Sequence, residues 1–510
     1  MAAAKPQPAD REGNVQDGLD AALTRHGLDV SPAEQVGLRQ LVGWMQSGIA
    51  ALPEEASPGA ARAALDLSFV EQGRLLRNGT FTARALTEAC LERITARDGA
   101  YRAFYAVLAE RALADAERAD SELANGHDRG PLHGIPVGIK DLIDVAGVPT
   151  TADAPGRADA LAEADALVVS RLAEGGAVIV GKLATYEWGT VGPDKSGLFP
   201  PARNPWKLDH ITGGSSSGSA VAVAGGMLRT TLGTDTGGSL RGPAFYCGVV
   251  GLKPTLGLVP DTGTLPMAAS MDHVGPISSS VAEAALTLDV IAGSQASRLI
   301  GTSISGLRIG YGRDWFAQDP QTMPCVLAAM DAAMSTLSQL GAVIEEVSLP
   351  DYPAIEVAAA AVLHKESFDY HAANLRDHPQ DYGRRCFLSL AAGLALTDEE
   401  VARARRAGAA FRADVDRLLG RFDALVTVGA LTTALPAAPF EKEAVWTPMR
   451  TIGFNLSGHP VLAVPVGFDD GLPMGMQIIG RHHDEARIVQ IGDAFEHATD
   501  HAVQRPPGLS

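Results

Sequence analysis

The stretch Gly213–Pro243 reads GGSSSGSAVAVAGGMLRTTLGTDTGGSLRGP. Two Gly/Ser clusters flank a small-residue apolar segment, and the second places Ser239 directly after Gly237 and Gly238. A nucleophilic hydroxyl needs an open approach and backbone N–H groups free to receive an oxyanion. Glycines, having no Cβ, leave both accessible. Thr236, Gly237, Gly238 and Ser239 can turn successive N–H groups toward one point, a nest suited to a tetrahedral oxyanion. A serine beside glycines is more often an ordinary loop residue, so this reading requires a base elsewhere in the chain.

Outward from this block the chain alternates in the α/β manner. Short apolar runs, PVGIK (136–140), AVIVGK (177–182) and VVGLK (249–253), read as strands, interleaved with helical segments such as 166–174. Further strand patterns are LRIGYG (307–312), AVIEEVSL, ALVTV (424–428), PVLAVPVGF and GMQIIGR. Helical spacing marks 80–94, with Thr82 as N-cap, then 326–340, much of 353–420, and 485–499. The AVAVA segment reads as a helix that starts in the serine cluster. Residues 1–62 are expected to form a flexible tail and a helical extension, 63–503 one large α/β domain, and 504–510 a C-terminal tail.

Composition narrows the class. Hydrophobic residues make up 46% and charged residues 20% of 510 positions, enough for a large core. The formal net charge of −18 argues against nucleic acid as a partner. No apolar run is long enough to span a bilayer, and the polar N-terminus lacks a signal-peptide pattern. Cys90, Cys247, Cys325 and Cys386 lie far apart without a CxxC pair, which points to reduced thiols, a cytoplasmic protein and no zinc site.

Several readings of the block, and several bases for Ser239, compete. The string Gly214-Ser215-Ser216-Ser217-Gly218 fits G-x-S-x-G, but a polar, proline-broken segment precedes it where a nucleophile elbow needs a strand. The spacing Gly213-x-x-x-x-Gly218 is Walker-like, yet Ser219 stands where lysine is required. None of the eight lysines has a serine three residues before it, which removes Ser-x-x-Lys chemistry. A lysine buried at the end of a strand would lose its charge near neutral pH and could act as a base. Lys140, Lys182 and Lys253 all end apolar runs, so position alone does not choose among them, and Lys140 could equally pair with Asp141 or Asp144.

The segment GIPVGIKDLIDVAGVPTTAD resembles the lysine motif of the amidase signature family, and Gly213–Pro243 resembles its serine block. NPW (204–206), FYCGVVGLKPT (245–255), SMDHVGPIS (270–278) and LPMGMQIIGR (472–481) follow in the family's order. The resemblance covers roughly 63–503. It implies one amidase signature domain, a mixed central β-sheet covered by helices on both faces. It further implies Lys140 as base, Ser215 as bridging serine at a cis peptide, and Ser239 as nucleophile. Thr236, Gly237, Gly238 and Ser239 become the oxyanion donors, and Ser216, Asp235 and Arg241 supporting residues. Gly189 and Thr190 match positions that line the acyl site, while Tyr186, Trp188, Trp446 and Phe454 are aromatic candidates for the pocket. Ser196, where many relatives carry Asn, departs from the pattern.

The implied activity is hydrolysis of a carboxylic amide, aryl amide, carbamate or ester through an acyl-enzyme, without metal or organic cofactor. The implied partners are a small-molecule substrate, with neither nucleic acid nor membrane, and a homodimer as the family default. The alternative is the glutaminase subunit of a tRNA-dependent amidotransferase, which shares the triad.

Overall fold

Val178–Leu183 and Pro136–Lys140 are strands because their β-branched residues sit at full burial on both faces, as in a parallel sheet covered by helices. The computed structural model describes residues 58–441 and 447–509, with isolated positions between 23 and 42. The chain divides into two units, Met1–Ser57 and Pro58–Ser510, and every described strand belongs to the second. The helices expected within 19–51 lie outside the described residues, apart from those isolated positions.

Among the described residues eleven strands form one mixed sheet: β1 Phe104–Val107, β2 Pro136–Lys140, β3 Val178–Leu183, β4 Thr230–Asp235, β5 Val250–Lys253, β6 His273–Ser278, β7 Arg308–Tyr311, β8 Val343–Glu346, β9 Ala424–Val428, β10 Val461–Asp469 and β11 Leu472–Ile479. Their spatial order is β1-β3-β2-β4-β6-β5-β10-β11-β9-β7-β8. The trio β3-β2-β4 is parallel, β7 is parallel to both β8 and β9, and the remaining pairings are antiparallel. Helices flank the sheet on both faces, as the family resemblance implies.

Helix starts follow local chemistry. Thr82 Oγ1 accepts the Ala85 N–H at 3.0 Å and opens the helix Ala83–Tyr101. Thr397 and Glu400 form a reciprocal capping box for Asp398–Leu419. The helix Ser217–Ala224 is buried along its whole length. Its small residues let it lie against the sheet: a Cβ on Gly218 would come within 2.3 Å of both Ala103 O and Ala184 N. Three strands were not read in the sequence, namely β1, β4 and β6. In β4 the run TTLGTD carries few large apolar residues, so its burial is invisible to a pattern of hydrophobicity.

Candidate active site

Parallel strands β3, β2 and β4 end side by side, and the crevice beyond such carboxyl ends is where α/β sheets present chemistry. Lys140 is the last residue of β2 and is fully buried. Its Nζ lies 2.7 Å from Ser215 Oγ and 2.7 Å from Thr234 Oγ1 near the end of β4. Burial pulls the Lys140 ammonium down to about 7, against the opposing pull of Asp235 and Asp272. Among the described residues no carboxylate forms an ion pair with it.

The other two strand-end lysines are equally buried but differently occupied. Lys182 pairs with Asp141 at 2.8 Å and donates to Thr150 Oγ1 at 2.9 Å. That pair takes up the aspartate that could have held Lys140 in a structural ion pair. Lys253 donates to the carbonyls of His459 at 2.6 Å and Pro254 at 3.2 Å, and its Nζ lies 3.1 Å from His273 Nε2. Only Lys140 faces hydroxyls alone.

Ser215 follows a cis Gly214–Ser215 peptide and begins the turn into the buried helix. Ser216 ties that turn to β4: its Oγ donates to Thr234 O at 3.1 Å and accepts from Thr234 N–H at 3.2 Å. The backbone N–H of Ser216 also donates to Ser239 O at 3.0 Å, so the two serine clusters are joined directly. Ser239 is half-buried and lines the same cleft as Gly189, Thr190, Gly214 and Tyr186.

Beneath the glycine turn, Asp235 and Arg241 form a fully buried, bidentate ion pair at 2.9 and 3.0 Å. The remaining Arg241 donors reach Thr451 O, Gln477 Oε1 and Asn455 Oδ1 at 2.7–3.0 Å. Burial opposes charge on Asp235, but Arg241, Lys253 and Asn455 together hold its carboxyl far below the usual range. Asp235 also receives the N–H groups of Gly238 (2.8 Å), Leu240 and Arg241 (3.3 Å each). This corrects one expectation: the Gly238 N–H is bound by Asp235 and is not available to an oxyanion. Gly237 and Ser239 keep N–H groups without an acceptor among the described residues. The Thr236 N–H likewise has no acceptor among the described residues, and its Oγ1 donates to Asp272 Oδ1 at 2.6 Å.

The cleft opens to solvent, and the space in and before it amounts to about 950 Å3. Its walls are mostly apolar, with Val191, Pro193, Met267, Leu363, Met449 and Ile452 prominent. His364 and Arg385 are its ionisable side chains among the described residues, beside the Tyr186 phenol. Of the described aromatic candidates only Tyr186 lines it. Trp188 adopts φ +51° and turns away into a cluster with His371 and Tyr382. Phe454 is fully buried against Trp315 and Phe411 in the core. Trp446 lies outside the described residues. The sequence reading missed Thr234, Asp272 and Asn455 as neighbours of the site, and the 360–364, 385–389 and 447–452 walls. Asp272 had a signal in SMDHVGPIS; the walls had none, because they come from segments over a hundred residues away.

The sequence matches the amidase family profile over residues 85–489. It is 37% identical over 474 residues to a glutamyl-tRNA(Gln) amidotransferase subunit from Chloroflexus aggregans, covering 84% of this chain and 96% of that one. The corresponding subunit from Synechococcus sp. CC9311 is 35% identical, covering 87% and 99%. Among solved structures, the peptide amidase of Stenotrophomonas maltophilia superposes with a TM-score of 0.77 at 30% identity, covering 87% and 99%. A chain from a vestigial protein complex linked to the origins of an s-triazine catabolic enzyme gives 0.77 at 33%, covering 84% and 98%.

These relatives correct the partner expectation drawn from net charge, which had left only a small substrate and self-association. Proteins similar along nearly their whole length are named as subunits of an amidotransferase of glutamyl-tRNA, so a charge of −18 does not exclude nucleic acid or other subunits. Net charge averages over a surface, whereas docking depends on its local distribution. No described helix is long and apolar enough to cross a membrane. With the family profile spanning most of its length and these relatives matching from end to end, the chain belongs to the amidase signature family.

Proposed function

We propose that this protein cleaves a carboxylic amide C–N bond through an acyl-enzyme on Ser239, with Lys140 as the base acting through Ser215. The observation that carries this reading is the buried Lys140 amine held 2.7 Å from Ser215 Oγ, with no carboxylate in ion-pair contact among the described residues. As Ser239 Oγ bonds to the carbonyl carbon, its proton passes to Ser215, and the Ser215 proton passes to Lys140 Nζ. The oxyanion faces the Gly237 and Ser239 N–H groups. The C–N bond then breaks as Ser215 returns a proton to the leaving nitrogen and Lys140 resupplies Ser215. Water repeats the sequence on the ester. A carbamate or ester carbonyl meets the same groups.

Two uses of this chemistry have separate support. The relatives' names favour release of ammonia from glutamine as part of a tRNA-dependent amidotransferase. The apolar cleft favours a free-standing amidase for an uncharged acyl or aryl group. A glutamine ammonium would need a carboxylate, and none lines the cleft among the described residues. Four unbridged cysteines, three of them buried, support a cytoplasmic setting. The test is product release from glutamine, aliphatic amides, aryl amides and carbamates, by the parent protein and by Ser239→Ala. Turnover of apolar amides that vanishes in the variant is expected. Turnover of glutamine alone would favour the amidotransferase reading, and turnover that persists in Ser239→Ala would overturn both.

A further inference from the structure

Away from the cleft, three elements bring two imidazoles and a carboxylate together. Asp416 sits in the last turn of the helix Asp398–Leu419, His459 just before β10, and His482 between β11 and the helix Glu485–His497. One potential ligand atom from each lies within 4.8 Å of the other two, and among the described residues this is the one His/Cys/Asp/Glu group of that kind. His459 Nε2 is 3.1 Å from Asp416 Oδ1, and the two imidazole rings are 4.1 Å apart between centroids.

We propose that Asp416, His459 and His482 form a binding site for a borderline divalent cation, zinc in the first instance. Three observations carry it. The donor set, two imidazoles and one carboxylate, is one that zinc takes in proteins. Ligands at zinc bond lengths stand about 3.3 Å apart on a tetrahedron, which the Asp416–His459 pair already meets. Finally, His482 Nε2 is buried and has no hydrogen-bond partner, an arrangement that costs free energy unless something occupies it.

The surroundings fit a ligand site. His459 Nδ1 lies 3.0 Å from Ser457 Oγ, an outer partner that fixes the ring and leaves Nε2 toward Asp416. Gly458 adopts φ +76°, and a Cβ there would lie 3.5 Å from His482 Cε1, so the backbone packs directly beside the second ring. Asp416 is about half exposed, which leaves a fourth position to water. Arg412 approaches the other carboxylate oxygen, Oδ2, at 4.0 Å, so Oδ1 remains for the cation.

The site would clamp the segment that supports the catalytic turn. His459 O accepts from Lys253 Nζ, and Asn455, four residues earlier, donates to Asp235 Oδ1 at 2.7 Å. The cation is therefore structural and takes no part in the reaction at Ser239.

The experiment uses the full chain stripped with chelator and titrated with Co2+, reading visible d–d absorption, with Zn2+ competition and thermal midpoints alongside. The expected result is one saturable equivalent displaced by Zn2+, with a raised midpoint. Asp416→Asn, a change on the exposed side that leaves the core packing intact, and His482→Gln should each weaken binding more than about tenfold and remove the midpoint shift. Binding that is unsaturated at millimolar Co2+, or unchanged in both variants, would overturn the proposal.

Discussion

At the scale of residues, three lysines end buried strands and their partners alone separate them. Lys182 has Asp141, Lys253 has carbonyls, and Lys140 has two hydroxyls. The motif resemblance singles out Lys140, while hydropathy does not, because burial at a strand end is common to all three. On the proposed mechanism a neutral amine is the active form, and burial brings Lys140 down to about 7. The rate should therefore rise as pH increases through 7 and level off above it, measured as kcat/KM on a substrate that does not itself ionise. Lys140→Met should lower kcat/KM by about a hundredfold or more and abolish that limb of the profile. The aromatic candidates show the opposite lesson. Tyr186 and Trp188 are two residues apart, but a positive φ at Trp188 sends one to the cleft and the other to the core. A side chain's direction in an irregular turn leaves no trace in periodicity.

At the scale of elements, the glycine turn before Ser239 is held by β4, the helix Ser217–Ala224 and the segment 451–455. The buried Asp235–Arg241 pair links the first to the last. Arg241→Met would leave a fully buried aspartate unpaired, with an expected loss of about 3–5 kcal/mol in denaturant unfolding. Gly218→Ala tests the other contact. Its Cβ would meet the backbone of Ala103 and Ala184 at 2.3 Å, so a loss of about 1–3 kcal/mol is expected from calorimetry or denaturant titration. The links from Arg241 to Thr451 and Asn455, and from Gly218 to Ala103, are not local in sequence. β4 was hidden because Thr and Gly fill it, and Asn455 and Thr451 lie over two hundred residues from the turn they support.

Across the whole molecule, several acids are buried with little compensating charge. Burial pushes Glu496 up to about 8, Asp153 to about 8 and Glu187 to about 7. Between the unfolded carboxylate range and these values each of these three carboxyls holds more proton in the folded state than in the unfolded one. Their own contribution to stability therefore falls as pH rises from about 5 to 8. Glu496 receives the Val281 N–H at 3.1 Å at the start of the helix Val281–Ala292. Glu496→Gln should keep an acceptor there and flatten part of the fall, read from unfolding midpoints at pH 6 and pH 9. The broad architecture was legible in alternating strands and helices. The cleft walls were not, since a pocket assembled from distant helices has no contiguous signature.

If Ser239 is the nucleophile, as proposed, a serine-directed covalent label will mark it. The protein would be treated with a fluorophosphonate and the modified peptide located by mass spectrometry. A single adduct on Ser239, parallel loss of amidase activity, and no labelling of Ser239→Ala are expected. An adduct on Ser215 or elsewhere with equal loss of activity, or full activity in the labelled protein, would contradict it.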